Sequence, residues 1–306
     1  MKRVAISIGD LNGIGIEIAL LAHKDISKIV NPVYCIDPKM LKQASRKLNL
    51  KIPSDFDISI PPNIEYFEIT PGKTDAKSGA YSFYSFLHAI SLVSDKKADA
   101  VTTLPIHKKA WEIAGVDYKG HTDALRDIFK SDAIMMLGSP KMFVALYTEH
   151  IPLKDVARSL SFDKFYNFLI TLYGELNVSN IAVLGLNPHA GDGGVLGSEE
   201  SIIKEAIKRA NTELSKEIFT GPLVPDTAFT PIMRDKYNYY VAIYHDQGLI
   251  PLKTLYFDES INVSLNLPIL RTSVDHGTAF DIAYKNQSPS TKSYINAIEY
   301  ATKRNI

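Results

Sequence analysis

Short runs rich in Val and Ile alternate along this chain with segments of helical period, and several of the runs end in a polar or glycine-rich turn. No other feature constrains the fold as much. Apolar runs too short for helices, separated by amphipathic stretches, read as strand–helix repeats building a largely parallel sheet. The expected strands are Val4 to Ile8, Val33 to Ile36, Ile64 to Ile69, Asp99 to Thr103, Phe143 to Thr148, Ile181 to Leu186 and Tyr239 to Tyr244. Among the helices, Asp163 to Leu176 puts Phe165, Phe168, Leu169 and Leu172 on one face, and Ser198 to Leu214 does the same with Ile202, Ile203, Ala206, Ile207 and Ala210. Pro53 to Asn63 and Gln287 to Thr291 read as surface loops.

The 306 residues correspond to about two domains at roughly 150 residues each. Lys plus Arg and Asp plus Glu both number 34, so 34 − 34 leaves no net charge. A basic sheath for nucleic acid or an anionic-membrane binder is thereby excluded as the leading reading, because both need excess positive charge. Cys35 is the single cysteine, so no intrachain disulfide and no multi-thiolate metal site can form, and a metal must use imidazole or oxygen ligands. Met1-Lys2-Arg3 passes quickly into Gly9-Asp10, and nothing approaches the ~18 apolar residues of a membrane span. A cytoplasmic location is expected.

The strand ends carry the chemistry. Val4 to Ile8 runs into Gly9-Asp10-Leu11-Asn12-Gly13-Ile14-Gly15, Ile181 to Leu186 into Asn187-Pro188-His189-Ala190-Gly191, and Tyr239 to Tyr244 into His245-Asp246-Gln247-Gly248. Two more strands end in Thr102-Thr103 and in Thr148-Glu149-His150. In open α/β sheets ligands bind beyond the carboxyl ends of strands, so these five ends mark an active-site rim. The Gly9–Gly15 turn could cradle a phosphate, but it lacks the GxGxxG spacing and a tight strand-to-helix turn is the favoured reading. His150, His189 and His245 sit where loops converge and, with Asp246, suit a divalent ion; hydrogen-bonded structural histidines are the alternative. Lys253, Asn262 and Arg271, with Gly120-His121-Thr122 upstream, suit a phosphorylated substrate, although spacing alone leaves solvent-facing cations open. Arg271 to Ala283 could hold a nucleotide, with Asp281 on a hydroxyl, or could be a capped helix start.

Six segments together resemble the 4-hydroxythreonine-4-phosphate dehydrogenase family of pyridoxal phosphate biosynthesis: GDLNGIGIEI at 9–18, GHTD at 120–123, LNPHAGDGG at 186–194, GPLVPDTAF at 221–229, YHDQGLIPLK at 244–253 and LPILRTSVDHGTAFDIA at 267–283. They span almost the whole chain in the family's order. The resemblance implies two α/β/α domains with a cleft between them, like isocitrate and isopropylmalate dehydrogenases, without a classical Rossmann fingerprint. The expected division is 1–125 plus 262–306 for the first domain and 126–261 for the second.

Carried over by motif, the resemblance makes His150, His189 and His245 ligands of one divalent ion, zinc, magnesium or cobalt. His121, Thr122, Lys253, Asn262 and Arg271 would hold the substrate, with Lys253, Asp246 and Asp226 as catalytic groups. NAD, or NADP, would lie along Asn187, Gly191, His276, Gly277, Thr278 and Asp281. The implied reaction is oxidation of 4-phosphooxy-L-threonine with decarboxylation to 3-amino-2-oxopropyl phosphate, by a homodimer whose active sites take residues from both subunits, with neither nucleic acid nor membrane as partner. The alternatives are a dehydrogenase of 4-phosphothreonate or 4-phosphoerythronate, a phosphotransacetylase-like acyl transferase and a non-catalytic metabolite-binding module. Three positions depart from the family pattern, which has proline at Leu11, often proline at Ile16, and glycine at Tyr284 in a helix after HGTAFDIA. Tyr284 bears on the cofactor rim.

Overall fold

A computed structural model describes residues 1–303, and contacts divide the chain into two compact units, Met1–Ser131 with Ile261–Ile306, and Asp132–Ser260. The first unit begins with β1 (Arg3–Ser7), α1 (Gly15–Ile26), β2 (Asn31–Cys35), α2 (Pro38–Leu48), β3 (Ile58–Ser59), α3 (Ala76–Ser94), β4 (Ala100–Thr103), α4 (Lys108–Ile113) and α5 (His121–Phe129). The second holds β5 (Ile134–Ser139), β6 (Met142–Leu146), α6 (Leu153–Ser159), α7 (Phe162–Leu176), β7 (Ile181–Leu184), α8 (Glu200–Leu214), β8 (Phe219–Leu223), α9 (Pro231–Lys236), β9 (Tyr239–Ala242) and α10 (His245–Tyr256). The chain then returns to the first unit with β10 (Ile261–Leu265), β11 (Arg271–Val274) and α11 (Lys292–Lys303).

Strand order in the first unit is β3-β2-β1-β4-β11-β10, parallel except for the β10–β11 pair. In the second it is β5-β6-β9-β7-β8, parallel except for β5–β6. The parallel strands are buried along most of their length, the reason they read as continuous Val/Ile runs rather than as alternating ones. Trp111, Phe86 and Val101 anchor the first core, and Val144, Tyr240 and Leu252 the second. Among the described residues no helix is long and apolar enough to cross a membrane.

Some sequence expectations need correction. Ile64 to Ile69 forms no strand, although Phe67 and Ile69 are buried. The Gln43 side chain stands where a neighbouring strand would pair, donating to the Phe67 carbonyl at 3.0 Å and accepting from the Ile69 N–H at 2.6 Å. The 53–63 stretch is not entirely loop, since it contributes the short β3. No helix follows HGTAFDIA: 280–286 are turns, with left-handed backbone at Ala279, Tyr284 and Asn286. Strands β5, β8, β10 and β11 were not anticipated.

Candidate functional site

In the first unit, one face of the sheet is polar where a core would be apolar. Asn262 and Ser264 on β10 stand opposite Ser273 and Arg271 on β11, and Thr103 on β4 pairs with Ser273. Arg271 is 2% exposed and has neutral partners. Its Nε and Nη2 donate to Thr103 Oγ1 at 3.2 and 2.6 Å, Nη1 donates to Ser264 Oγ at 3.2 Å, and Nη2 lies 3.1 Å from His121 Nδ1. Guanidinium nitrogens only donate, so Nδ1 accepts and the His121 proton is assigned to Nε2. Burial lowers the Arg271 pKa to about 9, leaving it charged at neutral pH.

His121 opens α5, its ring against Phe86 at 4.7 Å and Trp111 at 5.5 Å between centroids. Burial in that cage, followed by the charges of Arg271 and Lys108, holds its pKa well below the usual histidine range. Its Nε2 and the Oδ1 of Asn262 are buried without partners. A buried cation facing neutral acceptors, next to an unused N–H donor, is costly unless an anion completes it. The structure thus brings His121, Asn262 and Arg271 together, with Thr122 half-buried in the same first turn.

The Gly9–Gly15 turn proves to be a docking surface for the 276–284 segment. The Ile14 N–H donates to the Thr278 carbonyl at 3.0 Å, and a Cβ on Gly13 would lie 2.8 Å from both the Thr278 Cβ and its carbonyl oxygen. Asp10 Oδ1 accepts from the Asn12 N–H at 2.9 Å and from Ser78 Oγ, and burial raises its carboxyl pKa. Asn12 ties the turn to the 70–73 loop through the Lys73 carbonyl and the Thr70 N–H. The His107 ring stacks on Phe280, with centroids 4.7 Å apart. The tight-turn reading of the glycines is the one the packing supports.

In the second unit the three histidine loops follow β6, β9 and β7, which are adjacent parallel strands. A chain of hydrogen bonds links those strand ends. Thr148 donates to the Ile243 carbonyl through N–H at 3.1 Å and Oγ1 at 2.6 Å, the Ile243 N–H donates to Gln247 Oε1 at 2.7 Å, and Gln247 Nε2 donates to the Gly185 carbonyl at 2.6 Å. His150 and His245 face each other with ring centroids 5.3 Å apart. Asp246 Oδ1 lies 2.7 Å from His245 Nδ1, a contact that orients that ring and leaves Nε2 as its other nitrogen. His189 is exposed in a left-handed run, φ 52°, after β7. Among the described residues no three His, Cys, Asp or Glu side chains are gathered closely enough to hold a metal. The donor chemistry fits a divalent ion, and the structure brings two of the three imidazoles together.

The chain matches the family described as pyridoxal phosphate biosynthetic protein PdxA over residues 28–301. It belongs to that family. A 4-hydroxythreonine-4-phosphate dehydrogenase of Sulfurimonas denitrificans is 62% identical over 299 residues, covering 98% of this chain and 96% of the relative. One from Campylobacter fetus is 52% identical over 304 residues, covering 99% and 98%. The crystal structure of a 4-hydroxythreonine-4-phosphate dehydrogenase from Klebsiella pneumoniae superposes with a TM-score of 0.81 at 31% identity, covering 99% of each chain. As a member of the PdxA family the protein is a dehydrogenase, an oxidoreductase acting on a CH–OH group.

Other PdxA-motif residues have visible structural work. Asn187 Nδ2 donates to Glu199 at 2.8 Å and to Glu200 at 3.0 Å, and Gly191 leaves room for the same Glu200 carboxylate. Glu200, 3% exposed, also accepts the N–H groups of Leu186 and Asn187, so it braces the loop that carries His189. Gly277 is open where a Cβ would project; His276 precedes it, and Asp281 follows four residues later. Asp226 is exposed in the turn after β8 and Lys253 lies on α10 over the Phe257 ring. Sequence reasoning missed Ser264, Gln247 and Glu200. Of these, Gln247 had a signal, being the next polar residue after His245-Asp246.

Proposed function

We propose that the protein catalyses NAD-dependent oxidation of 4-phosphooxy-L-threonine with decarboxylation to 3-amino-2-oxopropyl phosphate, acting as a homodimer in the cytoplasm. The observation that carries this reading is Arg271, buried with neutral partners beside the unpartnered His121 Nε2. Such a pocket recognises a compact anion, and the relatives' names supply a phosphate ester of the right class.

His121 donates from Nε2 and Arg271 from its remaining N–H, fixing the phosphate away from the reacting carbon so that binding contributes positioning. Thr122 adds a hydroxyl at the start of α5, Asn262 an amide and Lys253 an ammonium group. His150, His189 and His245 are the proposed metal ligands; a divalent ion held by them would supply Lewis acidity, and bound NAD would supply hydride-acceptor chemistry. Asp246 holds the His245 Nδ1 proton and fixes the tautomer. Asp226 is proposed as a second acidic group. The cofactor reading rests on His276, Gly277, Thr278 and Asp281, where open backbone at Gly277 admits close approach, and on Asn187 and Gly191 through the loop that Glu200 braces.

Purified protein, NAD and a divalent metal should produce NADH and CO2 from 4-phosphooxy-L-threonine. Faster turnover of 4-phosphothreonate or 4-phosphoerythronate, with little of the amino substrate consumed, would overturn the substrate assignment.

A further inference from the structure

The donors of Arg271 do not suffice for a phosphate ester. Of five N–H groups, Nε, both on Nη2 and one on Nη1 are taken by Thr103, His121 and Ser264, leaving one for a ligand. His121 is neutral and adds one donor without charge. A phosphate monoester carries about −1.5 to −2 charges at pH 7, so the one guanidinium that this unit supplies leaves it undercompensated by the unit's own groups.

A second cation stands next to this pocket in the same unit. Lys108 is the first residue of α4, just after the short loop that leaves Thr103 on β4. Its Cε lies 3.6 Å from the position a Gly120 Cβ would take, so its stem covers the residue immediately before His121. The Lys108 charge reaches His121 along with that of Arg271. The side chain is exposed and has no hydrogen-bond or ion-pair partner among the described residues, whereas its neighbour Lys109 pairs with Glu112 at 2.7 Å.

We propose that Lys108 is a further cation of the phosphate subsite formed by Arg271, His121 and Asn262, the second from the first unit besides the Lys253 proposed above, reaching over Gly120 onto the ester's phosphate oxygens. This deepens the function proposed above and rests on its phosphorylated substrate. Lys108 selects a dianionic phosphate over a singly charged group of similar size. An ammonium on a flexible stem suits the mouth of a pocket whose base is the fixed guanidinium. The absence of a competing carboxylate contact keeps it available.

The test is calorimetric titration of the full chain with inorganic phosphate, beside steady-state kinetics with 4-phosphooxy-L-threonine. Lys108→Met should weaken phosphate binding on the order of tenfold and raise KM by a similar factor with kcat held, as expected for loss of one partly screened charge. Lys108→Arg should restore most of the affinity, and Lys109→Met should behave as wild type, which a merely structural role for Lys108 would not produce. Phosphate binding by Lys108→Met as tight as in wild type, or a fall in kcat at unchanged KM, would overturn the proposal. If phosphate binding depends on Lys108 but the wild type oxidises no phosphorylated alcohol, the subsite stands and the substrate reading fails.

Discussion

The Tyr284 hydroxyl donates a hydrogen bond of 2.8 Å to the carbonyl oxygen of Leu11 across 273 positions of sequence. These are two of the places where the chain departs from the family pattern, and they touch. Tyr284 occupies a left-handed position, φ 61°, where glycine costs nothing and a tyrosine must be held by its surroundings. The hydrogen bond to the Gly9–Gly15 turn provides that hold. Tyr284→Phe should lower unfolding free energy by about 1 kcal/mol, read from urea denaturation midpoints. An unchanged midpoint would mean that the ring alone fixes the segment.

Gly13→Ala tests the docking of this turn on Thr278. The added methyl meets a backbone carbonyl and a β-carbon that cannot swing away. A loss of about 1–3 kcal/mol is expected, together with a higher KM for NAD, because the 276–284 segment must shift. Wild-type stability and KM would show that the turn yields freely.

His121 makes stability depend on pH in a definite direction. Its folded pKa is depressed by burial first, then by Arg271 and Lys108. As pH falls below about 6.5, the unfolded chain takes up a proton at this position that the folded chain refuses, so stability is lost, by up to ~1.4 kcal/mol per pH unit. His121→Asn should flatten the slope of unfolding free energy between about pH 6.5 and 5. An equal slope in wild type and variant would assign the acid sensitivity to other groups.

Asp246 is expected to act through His245 rather than on substrate. Asp246→Asn should weaken divalent-metal affinity about 10–100-fold, measured by metal content after dialysis against a chelator. Alanine at His150, His189 or His245 should abolish stoichiometric metal along with turnover. Full metal content in those variants would remove the ligand assignment.

The legible parts of the molecule were those where an apolar run stops abruptly at polar residues. The placement of His150, His189 and His245 past strand ends was readable because β6, β7 and β9 are buried up to their ends and then give way to polar residues. Strands β10 and β11 escaped notice for the converse reason. Their inner face carries Asn262, Ser264, Arg271 and Ser273, so the polar lining that makes the pocket erases the hydrophobic signal of a strand. In β8 the Gly221-Pro222 pair reads as a turn. Lys108 was invisible because only the fold brings Gly120 and His121 to it, whereas the pairing of Lys109 with Glu112 is local, three residues apart on one helix.

The return of the chain to its first unit sets an order of events during synthesis. Thr103 and His121 leave the ribosome early, but Arg271 follows only after all of Asp132–Ser260 has been made. Until then β4 lacks its β11 neighbour, and Thr103 and His121 lack the guanidinium between them. A chain stopped after residue 260 can therefore complete its second unit and still lack the guanidinium around which the anion pocket is built.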